Sequence, residues 1–149
     1  MFQRIQTFYL FLVSVCMAIS IFSPLAIMAY DGNIVALNAV SLLKGADIAF
    51  ETGFLFVIGL VSSLMSLISI FLYKNRKSQI RITISNIFAM FFFLAYMVFL
   101  IFMNDNDYGT FTRFSWGAVI PLIAIFFAII SIKHIKKDES LVRSLDRLR

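Results

Sequence analysis

The chain has 149 residues, of which 61% are apolar and only 14% charged, with 18 Phe and a mean hydropathy of +0.94. Soluble domains carry about 25% charged residues, and a core this small cannot hide so much apolar surface, so lipid is the expected solvent. The net charge of +5 does not define a nucleic-acid binder, because the basic residues cluster beside apolar runs and form no broad reading face, and the single cysteine, Cys16, excludes an intramolecular disulfide.

The first apolar run covers residues 7–29. It is longer than the apolar region of a secretory signal, and Ile27 stands where a cleavage site wants a small residue, so it reads as a retained membrane span. Cys16 lies in mid-span as a small packing residue. Beyond it, Tyr30-Asp31-Gly32-Asn33 is a turn signal. The mixed pattern from Ile34 to Leu43 fits either a short strand or an interfacial helix.

The second run, residues 52–73, opens beside Glu51, whose charge suits a helix N-terminus. Gly59, Ser62, Ser63, Ser66 and Ser69 share one helical face, the pattern that lets helix backbones approach closely in lipid. A short basic loop follows, with Lys74, Arg76, Lys77 and Arg81. The third run, residues 82–103, is Phe-rich, with Phe88, Phe91, Phe92 and Phe93, and is expected to face lipid over much of its circumference. Asn86 and Tyr96 are its polar groups, suited to interhelical hydrogen bonds or to lining a path. The connection Asn104–Gly109 reads as a polar turn.

The fourth run, residues 116–132, carries a second small-residue stripe, Gly117, Pro121, Ala124, Ala128 and Ser131. It passes without a stop signal into a charged tail, residues 133–149. On a helical wheel Ile135, Leu141, Val142, Leu145 and Leu148 gather on one arc, and Lys136, Arg143 and Arg147 on another. Glu139 and Arg143 form a favourable i,i+4 pair. Such a basic amphipathic helix has three uses. It can lie on anionic lipid, offer its apolar arc to a partner's groove, or pack on the Lys74–Arg81 loop of its own chain.

Each run is about long enough to cross roughly 30 Å of hydrocarbon as a helix. Of the 13 Lys and Arg, 11 flank the ends that hold both termini and the Lys74–Arg81 loop; only Lys44 and Arg113 lie on the other side. The positive-inside rule therefore puts both termini in the cytoplasm. Tyr30, Tyr108 and Trp116 at the outer boundary, and Tyr9 and Tyr73 at the inner one, fit that orientation.

Chemistry is sparse. His134 has no second metal ligand at suitable spacing and reads as a solvated juxtamembrane residue. No carboxylate lies mid-span to serve a proton relay, and Asp31, Asp47 and Glu51 form the one acidic cluster, with nothing to pair them for catalysis. No cofactor is expected.

The opening Gln3-Arg-Ile-Gln-Thr7, the loop Tyr73-Lys-Asn-Arg-Lys-Ser-Gln-Ile-Arg81 and the ending from Ile135 to Arg149 resemble a family of small four-helix inner-membrane proteins of Bacteroidota, the domain of unknown function DUF4293. The resemblance spans essentially the whole chain. It implies an inner-membrane protein of a Gram-negative cell and no particular activity.

The expected fold is thus an all-α membrane protein of four transmembrane helices, N-in and C-in, with a cytoplasmic amphipathic extension. The expected function is that of a non-enzymatic inner-membrane subunit or scaffold docking anionic lipid headgroups or a larger membrane protein complex. Its working surface comprises Lys74, Arg76, Lys77, Arg81, Lys136, Lys137, Leu141, Arg143, Leu145, Arg147 and Leu148. The alternative is a small transporter or channel with a path between helices two and three lined by Ser62, Ser66, Asn86 and Tyr96. Nucleic acid is not an expected partner.

Overall fold

The computed structural model describes residues 2–30, 33–40, 43–44, 47–48, 52–103 and 110–146. Four helices dominate: α1 (Phe2–Phe22), α2 (Gly53–Phe71), α3 (Arg76–Met103) and α4 (Trp116–Asp146). All four are long and apolar enough to cross a membrane. Neighbouring helices run antiparallel. Ser14 of α1 meets Ser63 of α2, Ser69 of α2 meets Thr83 of α3, and Ser20 of α1 meets Gly117 of α4. α1 packs chiefly on α4 and on α2, α2 also packs on α3, and α3 closes the ring against α4.

The fold is mostly helical, which corrects the all-α expectation. Strands β1 (Pro24–Tyr30), β2 (Asn33–Asn38), β3 (Leu43–Lys44), β4 (Asp47–Ile48) and β5 (Thr110–Phe114) lie outside the helices. β1 is the middle strand of an antiparallel sheet in the order β2-β1-β5, and β3 pairs with β4 in a small ribbon. The predicted first span, 7–29, is therefore too long at its end. Hydropathy stays high through Ala29, but Pro24 lacks an N–H and disfavours helix in the residue before it, so α1 stops at Phe22. Tyr30 pairs with Asn33, and the Asp31-Gly32 pair between them is the strongest short hairpin signal a sequence can carry. The other bounds move as well. α2 ends at Phe71 and passes into a 3-10 turn, Leu72–Lys74. α3 begins at Arg76, six residues before the predicted start at 82. α4 continues past 132 to Asp146 without a break and carries Pro121 inside it. The predicted turn Asn104–Gly109 lies outside the described residues.

The sheet lids one end of the bundle. Leu25, Ala26, Leu37 and Ala39 join Val13, Met17 and Ile21 of α1, Leu55 of α2, Phe93, Met97 and Ile101 of α3, and Ala118 and Ala124 of α4 in one apolar core. β1 follows α1 directly, and β5 runs into α4 through Ser115, whose N–H donates to the Leu25 carbonyl at 2.9 Å. At this junction Gly117 sits against the Pro24 backbone with no room for a side chain.

Both small-residue stripes are interior: the α2 stripe is shared between α1 and α3, with Ser62, Ser66 and Ser69 turned to α3, and the α4 stripe meets α1 at Gly117. Gly59 lies against Ile21, and the Ser63 hydroxyl donates to the Ser14 carbonyl at 3.2 Å. Gly117, Pro121, Ala124, Ala128 and Ser131 are all buried. The exterior is the reverse. Phe8, Phe11, Phe22, Phe54, Phe71, Phe88, Phe91, Phe92, Phe99, Phe102 and Phe126 are each more than half exposed. On α3 Phe88, Phe91 and Phe92 face outward, whereas Phe93 is fully buried, because it lies on the turn of the helix that faces Gly59. Small residues and Met inside with Phe outside is the distribution expected where apolar solvent removes the drive to bury large side chains.

Candidate functional site

Two polar regions stand out from this apolar body. The first is a buried seam between α2 and α3. Asn86 is 1% exposed. Its Oδ1 accepts the Ser62 hydroxyl at 2.7 Å, and its Nδ2 donates to Ser66 Oγ at 2.8 Å. One to two turns away the Ser69 and Thr83 hydroxyls meet at 3.0 Å, and Thr83 donates to the Gln79 carbonyl at 2.8 Å. The i, i+4, i+7 spacing of Ser62, Ser66 and Ser69 puts them on one stripe, and Gln79, Thr83 and Asn86 repeat that spacing on the facing helix. A side-chain amide has one acceptor oxygen and two donor hydrogens, so Asn86 bridges two hydroxyls at once. These are the residues a transporter reading would use as a path, Tyr96 excepted. Here Ser62, Ser66 and Asn86 bond to one another across α2 and α3. Tyr96 lies apart from the seam, stacked on Phe92 and Phe99 at ring distances of 6.5 and 6.1 Å, with Phe54 edge-on at 5.1 Å.

The second region is the bundle end opposite the sheet, where the charged residues gather. The predicted Lys74–Arg81 loop is mostly helix. Asn75 alone separates the 3-10 turn from α3, and its Oδ1 accepts the Ser78 N–H at 3.4 Å in the manner of an N-cap. Arg76 is turned onto its own chain. Its guanidinium meets the Asp138 carboxylate at 3.0 Å and donates to the Asp138 carbonyl, also at 3.0 Å. The side chains are 27% and 18% exposed, so the pair is a partly sheltered clasp between α3 and α4. Arg76 thereby ties the start of α3 to α4.

α4 is held at this level by α1 as well. The Gln6 amide donates to the His134 carbonyl at 3.3 Å, and the His134 ring stacks on Tyr9 with centroids 5.7 Å apart and planes 12° apart. His134 is therefore half-buried against an aromatic ring, which corrects its reading as a solvated residue. Ile135 is fully buried, so the apolar arc predicted for the tail starts by packing on its own bundle. Sequence reasoning missed these contacts because they join residues more than 60 positions apart; the Arg76 and Asp138 charges were visible, their juxtaposition was not.

Other cations among the described residues are exposed. Lys77 and Arg81 are exposed on α3, and Lys133, Lys136 and Lys137 on α4. On α3 the exposed face reads Lys77, Arg81, Ile84, Ser85, Phe88 and Phe92; on α4 it reads Val119, Leu122, Phe126, Ile129, Lys133, Lys136 and Lys137. In both helices the cations extend an outward apolar stripe at its end. Lys74 lies in the 3-10 turn, with its side chain outside the described set. Leu141, Arg143 and Leu145 are on helical backbone, and their side chains are likewise outside it. Arg147 and Leu148 lie outside the described residues, as do Asp31 and Glu51 of the outer acidic cluster. No group of three His, Cys, Asp or Glu that could hold a metal occurs among the described residues.

Four apolar helices of spanning length give the chain the character of a multi-pass membrane protein. It belongs to the family described as "Domain of unknown function (DUF4293)", whose model matches residues 2–148. No match was found among curated proteins or among solved structures.

Proposed function

We propose that the protein is a non-enzymatic integral subunit of the bacterial inner membrane, with both termini in the cytoplasm, whose basic end docks anionic lipid headgroups and thereby scaffolds a larger membrane assembly. The observation that carries this reading is the continuity of the outward stripes on α3 and α4 from large apolar residues to Lys77, Arg81, Lys133, Lys136 and Lys137. A cation at the end of an apolar stripe has its stem in hydrocarbon and its charged head at the depth of phosphate. Anionic leaflets attract such residues. The excess of Lys and Arg at this end supports the cytoplasmic orientation.

The decisive variant replaces Lys133, Lys136 and Lys137 with Glu. In nanodiscs of mixed phosphatidylglycerol and phosphatidylcholine, enrichment of the anionic lipid around the protein should fall about tenfold. Unchanged enrichment overturns the docking role. Orientation has its own test: a reporter fused after Arg149 should be active only in the cytoplasm, and periplasmic activity reverses the assignment of the two ends.

A further inference from the structure

The inside of the bundle changes character along its length. The apolar core reaches no further toward the basic end than Val13 on α1, Leu55 on α2, Met90 on α3 and Ala128 on α4. Beyond it every helix turns a polar side chain inward: Gln6 from α1, Ser66 and Ser69 from α2, Gln79 and Thr83 from α3, Ser131 from α4. Each is at most 4% exposed. Leu10 and Ile135 are fully buried at this end, yet neither belongs to the apolar core.

Most of these hydroxyls are bonded. Ser66 meets Asn86, and Ser69 meets Thr83, which donates to the Gln79 carbonyl one turn back. Ser131 differs. Its side chain is wholly enclosed, and its Oγ has no hydrogen-bond partner among the described residues. A helical serine can satisfy itself by donating to the carbonyl four residues back, as Ser23 does to Ile19 at 2.7 Å. Ser131 makes no such bond to Phe127. Its direction follows from spacing: Ala124, Ala128, Ser131 and Ile135 share one face of α4, and all four are buried. The hydroxyl is therefore turned to the interior.

α1 meets α4 at this level. Gln6 Nε2 donates to the His134 carbonyl at 3.3 Å, one turn along α4 from Ser131. An amide has two donor hydrogens and an acceptor oxygen, so this bond leaves Gln6 capacity for more. An enclosed hydroxyl and an enclosed amide a turn apart suit a small neutral molecule that both donates and accepts. A buried water makes about three such bonds, to groups that otherwise go unsatisfied. None of the six inward polar side chains carries a charge, which leaves an ion here without a counter-charge.

We infer that Ser131 anchors an ordered water between α1 and α4, with Gln6 as its second side-chain partner. The site goes beyond the lipid-docking reading and does not depend on it. It makes the basic half of the interior wet and leaves the half beyond Val13 and Ala128 dry, so water reaches into the bundle and stops at the apolar core.

Radiolytic footprinting of the full chain in nanodiscs tests this. A brief X-ray pulse turns bound water into hydroxyl radicals, which oxidise the side chains touching it. Leu10 stands one turn from Gln6, and Ile135 one turn from Ser131. Oxidation at these two together should exceed that at Met17 about tenfold, although Met17 is just as buried and its sulfur is easily oxidised. Ser131→Ala should lower the Leu10 and Ile135 signal about tenfold and leave Met17 as it was. In the parent chain, no oxidation at Leu10 and Ile135, or equal oxidation at Met17, overturns the site, so a folding defect in Ser131→Ala does not leave the matter open. An undiminished signal in a folded Ser131→Ala protein overturns it as well. No cation of the enrichment experiment is touched, so the water site and the docking role fail separately.

Discussion

Gly117→Ala should destabilise the protein by about 2–4 kcal/mol, through overpacking and loss of the neighbouring hydrogen bonds. A Cβ at this position would lie 2.4 Å from the Pro24 carbonyl oxygen and 2.9 Å from the Ser23 Cβ. The first is backbone and cannot rotate away. The helix must therefore lift from β1, weakening the bond from the Ser115 N–H to the Leu25 carbonyl and the bond from the Ser20 hydroxyl to the Gly117 carbonyl. Gly59→Ala provides the comparison. Its Cβ would meet Ile21 at 2.7 Å and Phe93 at 3.2 Å, both side chains that can turn, so about half the loss or less is expected. Reversible unfolding in mixed micelles measures both. A Gly117→Ala protein as stable as the parent would show that α4 and β1 are not locked together at this point.

Asn86→Ala should remove about 2–3 kcal/mol, from two interhelical bonds and the void left behind. The more telling measurement is a cycle. In a background already carrying Ser62→Ala and Ser66→Ala, the two hydroxyls that bond Asn86 are absent, and the further loss from Asn86→Ala should shrink by at least about 1 kcal/mol. Additive losses would mean that the amide stabilises the bundle by filling space and not by joining α2 to α3. Asn86→Asp should be worse than Asn86→Ala, because a carboxylate at this depth costs about 2.5–3.5 kcal/mol to insert.

Much of the helical frame was legible because spacing carries it. The small residues of α2 and α4 repeat at three and four positions, and every one chosen from that pattern is buried or, for Ser63, half-buried and bonded to Ser14. Asn86 was readable as an interhelical bonding group because an amide at that depth needs a partner. The sheet was not legible from hydropathy. β1 is as apolar as the helix before it, and only Pro24 and the Asp31-Gly32 pair mark the change. Phe93 was not separable from its exposed neighbours, because composition alone cannot tell a Phe that meets Gly59 from those that do not. At the basic end, the charges were found but their commitments were not. Arg76 was counted among the docking residues without its pairing to Asp138 being visible, and His134 was read from its own surroundings in sequence, without Tyr9.

The sheet imposes an order on biogenesis. β1 and β2 emerge from the ribosome together, but β5, the strand on the other side of β1, is translated only after three of the four spans. Until then one side of β1 is a bare edge, open to pairing with any extended chain nearby. Completion of the sheet and arrival of the last helix are consequently a single event, since β5 leads straight into α4. A nascent chain stalled before Thr110 lacks the strand that pairs along the second side of β1.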